Sequence, residues 1–263
     1  MAVSNISVSH AETGLVQAQV LAAEQISPHF VRLTIGGQGL QGWRHLGFDQ
    51  WLRLAVPLDA GTRFDRLAPT FNMAGYLKYL SLPRGSRPAM RSYTVRNHRP
   101  GSNEMDIDFV VHGDAGIAGP WARTLPVGAP VALIDQGCGY RRQDAQAALL
   151  VGDESALPAI AGILRDMPRG ARGTAIIEVP DLADCQDTGA PEGMDVQWVA
   201  RTGSLSAGQA ALDRLRSLAR PQGAVTAFAA GESSLATGAR RHLVNEWGMP
   251  KAEVAFCGYW RQR

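Results

Sequence analysis

Arg91-Ser92-Tyr93-Thr94-Val95-Arg96 is the stretch from which the rest of the chain is best read. Residues 92–95 are short and β-prone. On a strand, alternate side chains share a face, so Arg91, Tyr93 and Val95 point one way and Ser92, Thr94 and Arg96 the other. An aromatic plane, a hydroxyl and flanking guanidinium groups are thus presented together. Arg84, Arg87 and Arg99 crowd the same part of the chain. The group reads either as a solvated loop or as a site for an anionic ligand.

Downstream, Phe109-Val110-Val111-His112-Gly113-Asp114-Ala115-Gly116-Ile117-Ala118-Gly119-Pro120-Trp121-Ala122 runs from a strand into glycines and then opens a short helix. Backbone N–H groups at a helix start form an anion site, and glycines let a pyrophosphate approach them. Taken singly, the two stretches are an ordinary surface strand and a tight β-to-α connection. Taken in order, they suit a flavin dinucleotide: a ring to stack on isoalloxazine, a hydroxyl for its N5, and arginine to pair with phosphate in fork geometry.

Around these stretches the first half reads as strands and turns. Residues 15–22 and 30–35 flank Gln25-Ile26-Ser27-Pro28-His29, Trp51–Val56 stops at Pro57, and residues 131–134 follow Gly-Ala-Pro. Residues 105–112 alternate Met105, Ile107, Phe109 and Val111 with Asp106, Asp108, Val110 and His112, the pattern of a half-buried strand. Short strands at this spacing predict an antiparallel β-barrel. The character changes near Ala145. Apolar runs at 147–151, 174–179, 196–199, 225–229 and 253–256 alternate with helical patterns at 155–166, 207–218 and 232–247. Ala211, Leu212, Leu215 and Leu218 share one helical face, and Leu235, Ala239, Leu243 and Trp247 another. That alternation predicts an α/β domain with a mostly parallel sheet. The expected organisation is a β-barrel over 1–143 and an α/β domain over 144–263, divided at Arg141-Arg142-Gln143-Asp144.

Composition narrows the classes. The net charge of +2 gives no global field for nucleic acid or membrane. Cys138, Cys185 and Cys257 are dispersed and form no C-x-x-C, which argues against a zinc site, an iron–sulfur cluster or a disulfide framework. No apolar run approaches the ~18–20 residues of a membrane span, and residues 1–12 lack the order of a signal peptide. A cytoplasmic, monomeric protein without a metal site is expected.

At the motif level the chain resembles the siderophore-interacting protein family, the flavin-dependent ferric-siderophore reductases of the ferredoxin-reductase-like flavoproteins. The matching stretches are Asp49-Gln50-Trp51-Leu52-Arg53-Leu54, Arg91-Ser92-Tyr93-Thr94-Val95-Arg96, His112-Gly113-Asp114-Ala115-Gly116 with Trp121-Ala122, and Gly152-Asp153-Glu154-Ser155-Ala156-Leu157-Pro158 with Ala230-Gly231-Glu232 and Gly258-Tyr259-Trp260-Arg261. The resemblance implies FAD as cofactor, a ferric siderophore as substrate, and electrons from NAD(P)H or a ferredoxin. It places Arg91, Ser92, Tyr93 and Thr94 on the flavin, with Tyr93 and Thr94 at the reacting ring. His112, Asp114, Ala115, Gly116, Ala118, Gly119 and Trp121 would line the adenine and pyrophosphate end. Gly152, Asp153, Glu154, Ser155, Gly231, Glu232, Tyr259 and Trp260 would face the nicotinamide nucleotide. Two further residues are read from their positions alone: Arg201 for a 2′-phosphate, which would favour NADPH, and Glu178, which reads either as a ribose partner or as one of the acids common at strand ends. Ser155 is a candidate helix cap. Arg53, which stands where the family usually has lysine, and Arg84, Arg87 and Arg261 are the candidates for attracting the siderophore. Gly119 replaces the family's common serine, and Asp135-Gln136-Gly137-Cys138-Gly139 lacks its proline and arginine; Arg141 or Arg142 could substitute. Two other readings stay open: a general flavin or ferric reductase, and a flavin- or siderophore-binding module without turnover.

Overall fold

The computed structural model describes residues 4–8, 14–111, 116–140 and 146–262. Its contacts divide the chain into two compact units, one of Val8–Cys138 and one of Met1–Ser7 with Gly139–Arg263. The boundary expected between residues 143 and 144 lies outside the described residues.

The first unit contains strands β1 (Leu15–Ser27), β2 (Phe30–Gly36), β3 (Trp51–Val56), β4 (Ala89–Thr94), β5 (Asn97–Arg99), β6 (Glu104–Val110) and β7 (Pro130–Gly137), with helices α1 (Met73–Ser81) and α2 (Ala118–Arg123). The strands form one antiparallel sheet in the order β4-β3-β7-β1-β2-β6-β5. It is the barrel-like antiparallel sheet that was expected, left open with β4 and β5 as its edges. β1 runs on through Ser27, so the turn is Pro28-His29 rather than the longer segment expected, and register shifts at Val20/Ala22 and Gln25/Ser27 bend the strand. One face holds a core that includes Val20, Leu33, Ile35, Leu52, Leu54, Ile107 and Phe109.

The polar side of β6 departs from expectation. Asp106 and Asp108 are buried, at 6% and 3% exposure. Asp108 receives both Arg32 Nε and Nη2, at 2.6 and 2.8 Å, and Arg96 lies at 3.4 Å. Asp106 receives Arg99 Nη1 and Nη2 and Thr34 Oγ1. A layer of arginines therefore covers what the period-two pattern presented as a solvent face. Burial opposes ionisation of Asp106, yet the Arg99 and Thr34 hydrogen bonds hold its carboxyl below the ordinary range.

Helix α1 is absent from the sequence expectations. Asn72 caps it, its side chain accepting Gly75 N–H at 2.9 Å. Phe71, Tyr79 and Leu82 pack against the second apolar cluster, which includes Ala55, Met90, Ala132 and Ile134.

The second unit contains β8 (Ala147–Gly152), α3 (Leu157–Asp166), β9 (Gly173–Val179), β10 (Met194–Ala200), α4 (Gln209–Ser217), β11 (Val225–Glu232), α5 (Ser233–Asn245) and β12 (Val254–Trp260). Its parallel sheet has the order β10-β9-β8-β11-β12. The stripe Leu235, Ala239, Leu243 and Trp247 is buried, as its four-residue spacing requires. The chain start joins the same unit: Ser4 bridges Cys257 in antiparallel fashion, and Asn5 exchanges hydrogen bonds with Val254 and Phe256. Among the described residues, no helix is long and apolar enough to cross a membrane.

Candidate functional site

β4 is an edge strand, so its outer hydrogen-bonding side is left unpaired by the sheet. Pairing with β3 sets Trp51 opposite Thr94, Arg53 opposite Ser92 and Leu54 opposite Arg91. Cross-strand partners share a face, and Trp51, Arg53, Met90, Ser92 and Thr94 therefore lie on one side. Tyr93 turns to the other, its ring 4.2 Å from that of Phe109, which lies 6.0 Å from Trp121 on α2. The alternation read from the sequence is thus present. Burial pushes the Tyr93 phenol up, so it stays a neutral hydroxyl.

Several features of this edge fit a flavin. Trp51 Nε1 is buried and has no hydrogen-bond partner among the described residues, which leaves an unused donor opposite Thr94. Gly119, in the first turn of α2, packs so closely on β6 that an added Cβ would stand 3.1 Å from Val110 O. A side chain there would crowd the approach of helix to strand, so the departure from serine has a packing reason. Gly116 has φ of +86° and open space around it. Ala118 is buried against the same core. His112, Asp114 and Ala115, expected at the pyrophosphate end, lie outside the described residues.

The face with Arg53 and Met90 opens into a pocket of about 500 Å³, walled by Phe71, Tyr76 and Tyr79 and flanked by Arg53 and Arg91. Arg53 Nη1 donates to Ser92 Oγ at 2.8 Å, and its guanidinium carbon lies 5.5 Å from the Trp51 ring and 5.1 Å from the Phe71 ring. Arg91 Nη1 donates to Met90 O. The remaining candidates disperse. Arg87 lies over Tyr79 and donates to Leu80 O, and Arg84 is exposed. Arg96 and Arg99 are engaged by the β6 carboxylates, so the arginine-rich stretch does not form one anion site.

In the second unit the carboxyl ends of the strands gather charge. Asp153, Glu154 and Glu178 are fully buried, and Glu232 is 3% exposed. Arg201 donates through Nε to Glu178 at 2.8 Å and through Nη2 to Glu154 at 2.5 Å. Glu178 also accepts the backbone N–H groups of Gly208 and Ala211, at 2.8 and 3.0 Å. It holds the start of α4, where a carboxylate also meets the positive helix end. Arg201, considered for a 2′-phosphate, and Glu178, a strand-end acid considered for a ribose, pair with each other.

Asp153 accepts Ser155 N–H and Oγ–H, Glu232 N–H and Trp260 Nε1–H, joining the ends of β8, β11 and β12. Burial and the nearby Glu154 charge push its carboxyl up to about 6. Ser155 therefore serves Asp153 and not the helix; α3 begins after Ala156 with no side-chain cap. Gly231 has φ of +125°, and a Cβ there would lie 2.5 Å from the Asp153 carboxylate. Glu232 caps α5, accepting Ser234 N–H and Oγ–H and Leu235 N–H, and also takes Gln262 N–H. Gly152 is packed against Ala156 and Ile160. Tyr259 and Arg261 are exposed beside the anchored Trp260. The stretch lacking the family proline and arginine is structural here: Asp135 accepts Gln50 Nε2–H at 3.1 Å and Gly137 N–H at 2.9 Å, tying β7 to the start of β3.

The sequence reading missed the aromatic wall of the pocket. Its available signal was the pair of tyrosines in Phe71-Asn72-Met73-Ala74-Gly75-Tyr76-Leu77-Lys78-Tyr79, with Asn72 as a cap signal.

Comparison with known proteins agrees with this geometry. Residues 19–138 match the siderophore-interacting FAD-binding domain model, and residues 145–263 match the siderophore-interacting protein model. Ferric vibriobactin reductase ViuB of Vibrio cholerae is 31% identical over 90% of this chain and 86% of its own. The NADPH-dependent ferric-chelate reductase of Escherichia coli is 29% identical over 93% of this chain and 92% of its own. The crystal structure of a siderophore utilization protein from T. fusca superposes with a TM-score of 0.79 at 29% identity, covering 100% of this chain and 97% of that one. With both units matched in order, the chain belongs to the siderophore-interacting protein family.

Proposed function

We propose that this protein uses FAD to reduce ferric siderophores and release Fe(II), with electrons drawn from NAD(P)H. The observation that carries the reading is the β4 edge: Arg91, Ser92, Tyr93 and Thr94 in flavin-motif order, beside an arginine-flanked pocket on the Ser92 side. The match to an FAD-binding domain over residues 19–138 supports it, as do the reductase names of the two relatives. Bound FAD would supply the step from two-electron hydride chemistry to the single electrons that Fe(III) accepts. The chain's own part is to hold and orient. Tyr93 offers a ring fixed from behind by Phe109, Thr94 and Trp51 offer polar hydrogens to the flavin ring, and Arg91 offers a guanidinium to a phosphate. Oxygen ligands hold Fe(III) far better than Fe(II), so reduction loosens the metal without a protein ligand.

The Escherichia coli relative, named as NADPH-dependent, supports a nicotinamide donor. Arg201 already donates through Nε to Glu178 and through Nη2 to Glu154, which argues against it as the group that would select NADPH. Flavin binding provides the direct test. Wild-type protein mixed with FAD and desalted should retain the flavin, and Tyr93→Ala should lose it while keeping a cooperative unfolding transition, at a stability lowered by the lost packing on Phe109. Retention of FAD by Tyr93→Ala, or none by wild type, would remove β4 from the site.

A further inference from the structure

We propose that the outer face of α1 docks the protein on the surface of an anionic phospholipid bilayer. The inference does not depend on the reductase reading.

α1 is apolar on two sides. Gly75 and Tyr79 turn inward. Gly75 is buried, and a Cβ there would stand 2.0 Å from Thr70 O. Tyr79 packs with Phe71 and Leu82 on the second apolar cluster. Met73, Tyr76, Leu77 and Leu80 have the spacing i, i+3, i+4 and i+7 and turn outward, with Met73 and Leu77 at 72% and 59% exposure. A helix that packs on a core needs only its inner stripe apolar. The outer stripe is a ridge of large apolar side chains that the fold itself does not require.

Charge indicates what covers the ridge. Between Asp65 and Glu104 the chain has seven arginines and lysines and no acid, although its net charge is only +2. Arg96 and Arg99 are taken by the β6 carboxylates. Lys78 and Arg84 are exposed, and together with Arg87 and Arg91 they are in no ion pair among the described residues. The two acids that bound the stretch are held by Arg63 and Arg99. Asp59, which is exposed, accepts Gly61 N–H within its own turn. Lys78 follows Leu77 on α1, and Arg87 donates to Leu80 O at the helix end.

An apolar ridge flanked by cations matches the layers of an anionic bilayer. The aliphatic side chains enter the acyl boundary, Tyr76 sits at the interface, and the long basic side chains reach the phosphates. A second copy of this chain would bring the same cations into opposition. An acidic protein would satisfy the cations but would have to desolvate its own carboxylates against Met73 and Leu77. A bilayer separates its charged and apolar layers by depth and meets neither cost.

The test is co-sedimentation of the full chain with vesicles of about 30% phosphatidylglycerol in phosphatidylcholine, against vesicles of phosphatidylcholine alone. Partitioning onto the first should be at least about tenfold stronger, and should weaken about tenfold or more as salt rises from about 0.05 M to about 0.5 M. Leu77 and Lys78 are exposed and do not line the pocket, so their variants read docking apart from any ligand held there. Leu77→Ser and Lys78→Glu should each lower partitioning about fivefold or more while thermal unfolding stays at the wild-type value. No preference for the phosphatidylglycerol vesicles overturns the proposal, and so does wild-type partitioning by either variant. Two further results would overturn it by giving the face to another occupant. A dimer in analytical ultracentrifugation that Leu77→Ser disperses, without vesicle binding, would assign it to a second copy. Binding of polyglutamate that Lys78→Glu weakens, without vesicle binding, would assign it to an acidic protein.

Discussion

Arg53 and Ser92 are joined across the β3–β4 pairing by a hydrogen bond of 2.8 Å, which fixes a pocket arginine to the strand that carries the flavin motif. The guanidinium is further held between the Trp51 and Phe71 rings. A charge so placed is oriented before any ligand arrives, and lysine could not reproduce both contacts.

Arg53→Ala should therefore raise KM for a ferric siderophore about tenfold, the scale of one charge-assisted hydrogen bond, while the rate of flavin reduction by NADPH stays at the wild-type value. Arg53→Lys should fall between. Steady-state assays with a ferrous trap give both constants, and an unchanged KM in Arg53→Ala would remove Arg53 from substrate binding.

Arg201 should prove structural. Its replacement by alanine leaves Glu154 and Glu178, both fully buried, without their cation. Loss of one member of such a group costs about 3 kcal/mol or more. Urea unfolding of Arg201→Ala should show that loss, and the ratio of KM values for NADPH and NADH should not move where activity survives at low temperature. A stable variant with a selectively raised KM for NADPH would restore the phosphate-binding role.

Asp153 should make stability depend on pH in a definite direction. Its folded-state carboxyl is pushed up to about 6, above its ordinary value of 3.8. The folded state then binds more protons than the unfolded state between those values, and stability falls as pH rises through that window. The unfolding free energy of wild type minus that of Asp153→Asn should decline from about pH 4 to about pH 6 and level off above it. A difference that rises with pH would contradict the buried, raised carboxyl.

Gly231→Ala tests the same junction from the backbone side. The φ of +125° disfavours any side chain, and the new Cβ would meet the Asp153 carboxylate. A loss of about 2–3 kcal/mol is expected from the strained backbone and the displaced hydrogen bonds together. Thermal unfolding close to wild type would mean that the strand ends adjust freely.

Local pattern made much of this protein legible. Trp51–Val56 was bounded by its apolar run and Pro57, and the α5 stripe by its four-residue spacing. The alternation of Tyr93 with Ser92 and Thr94 followed from strand geometry alone. Long-range pairing was not legible. Period two showed that Asp106 and Asp108 share a face, but Arg32, which covers Asp108, is 76 residues away. Arg201 looked available because Glu154, its partner, is 47 residues distant. Strand spacing likewise carried no information on whether the sheet would close. Helix α1 was missed for a different reason. Its Met73, Tyr76, Leu77 and Leu80 have helical spacing, but they are exposed, and only nine residues form the element.

The most direct test of the reductase reading is an anaerobic absorbance titration of the FAD-loaded protein, first with NADPH and then with a ferric siderophore in the presence of a ferrous trap. Bleaching of the flavin by NADPH, followed by return of its colour with ferrous product, is the expected result. A flavin that binds but is bleached by neither NADPH nor NADH, or a reduced flavin that ferric chelate leaves bleached, would contradict it.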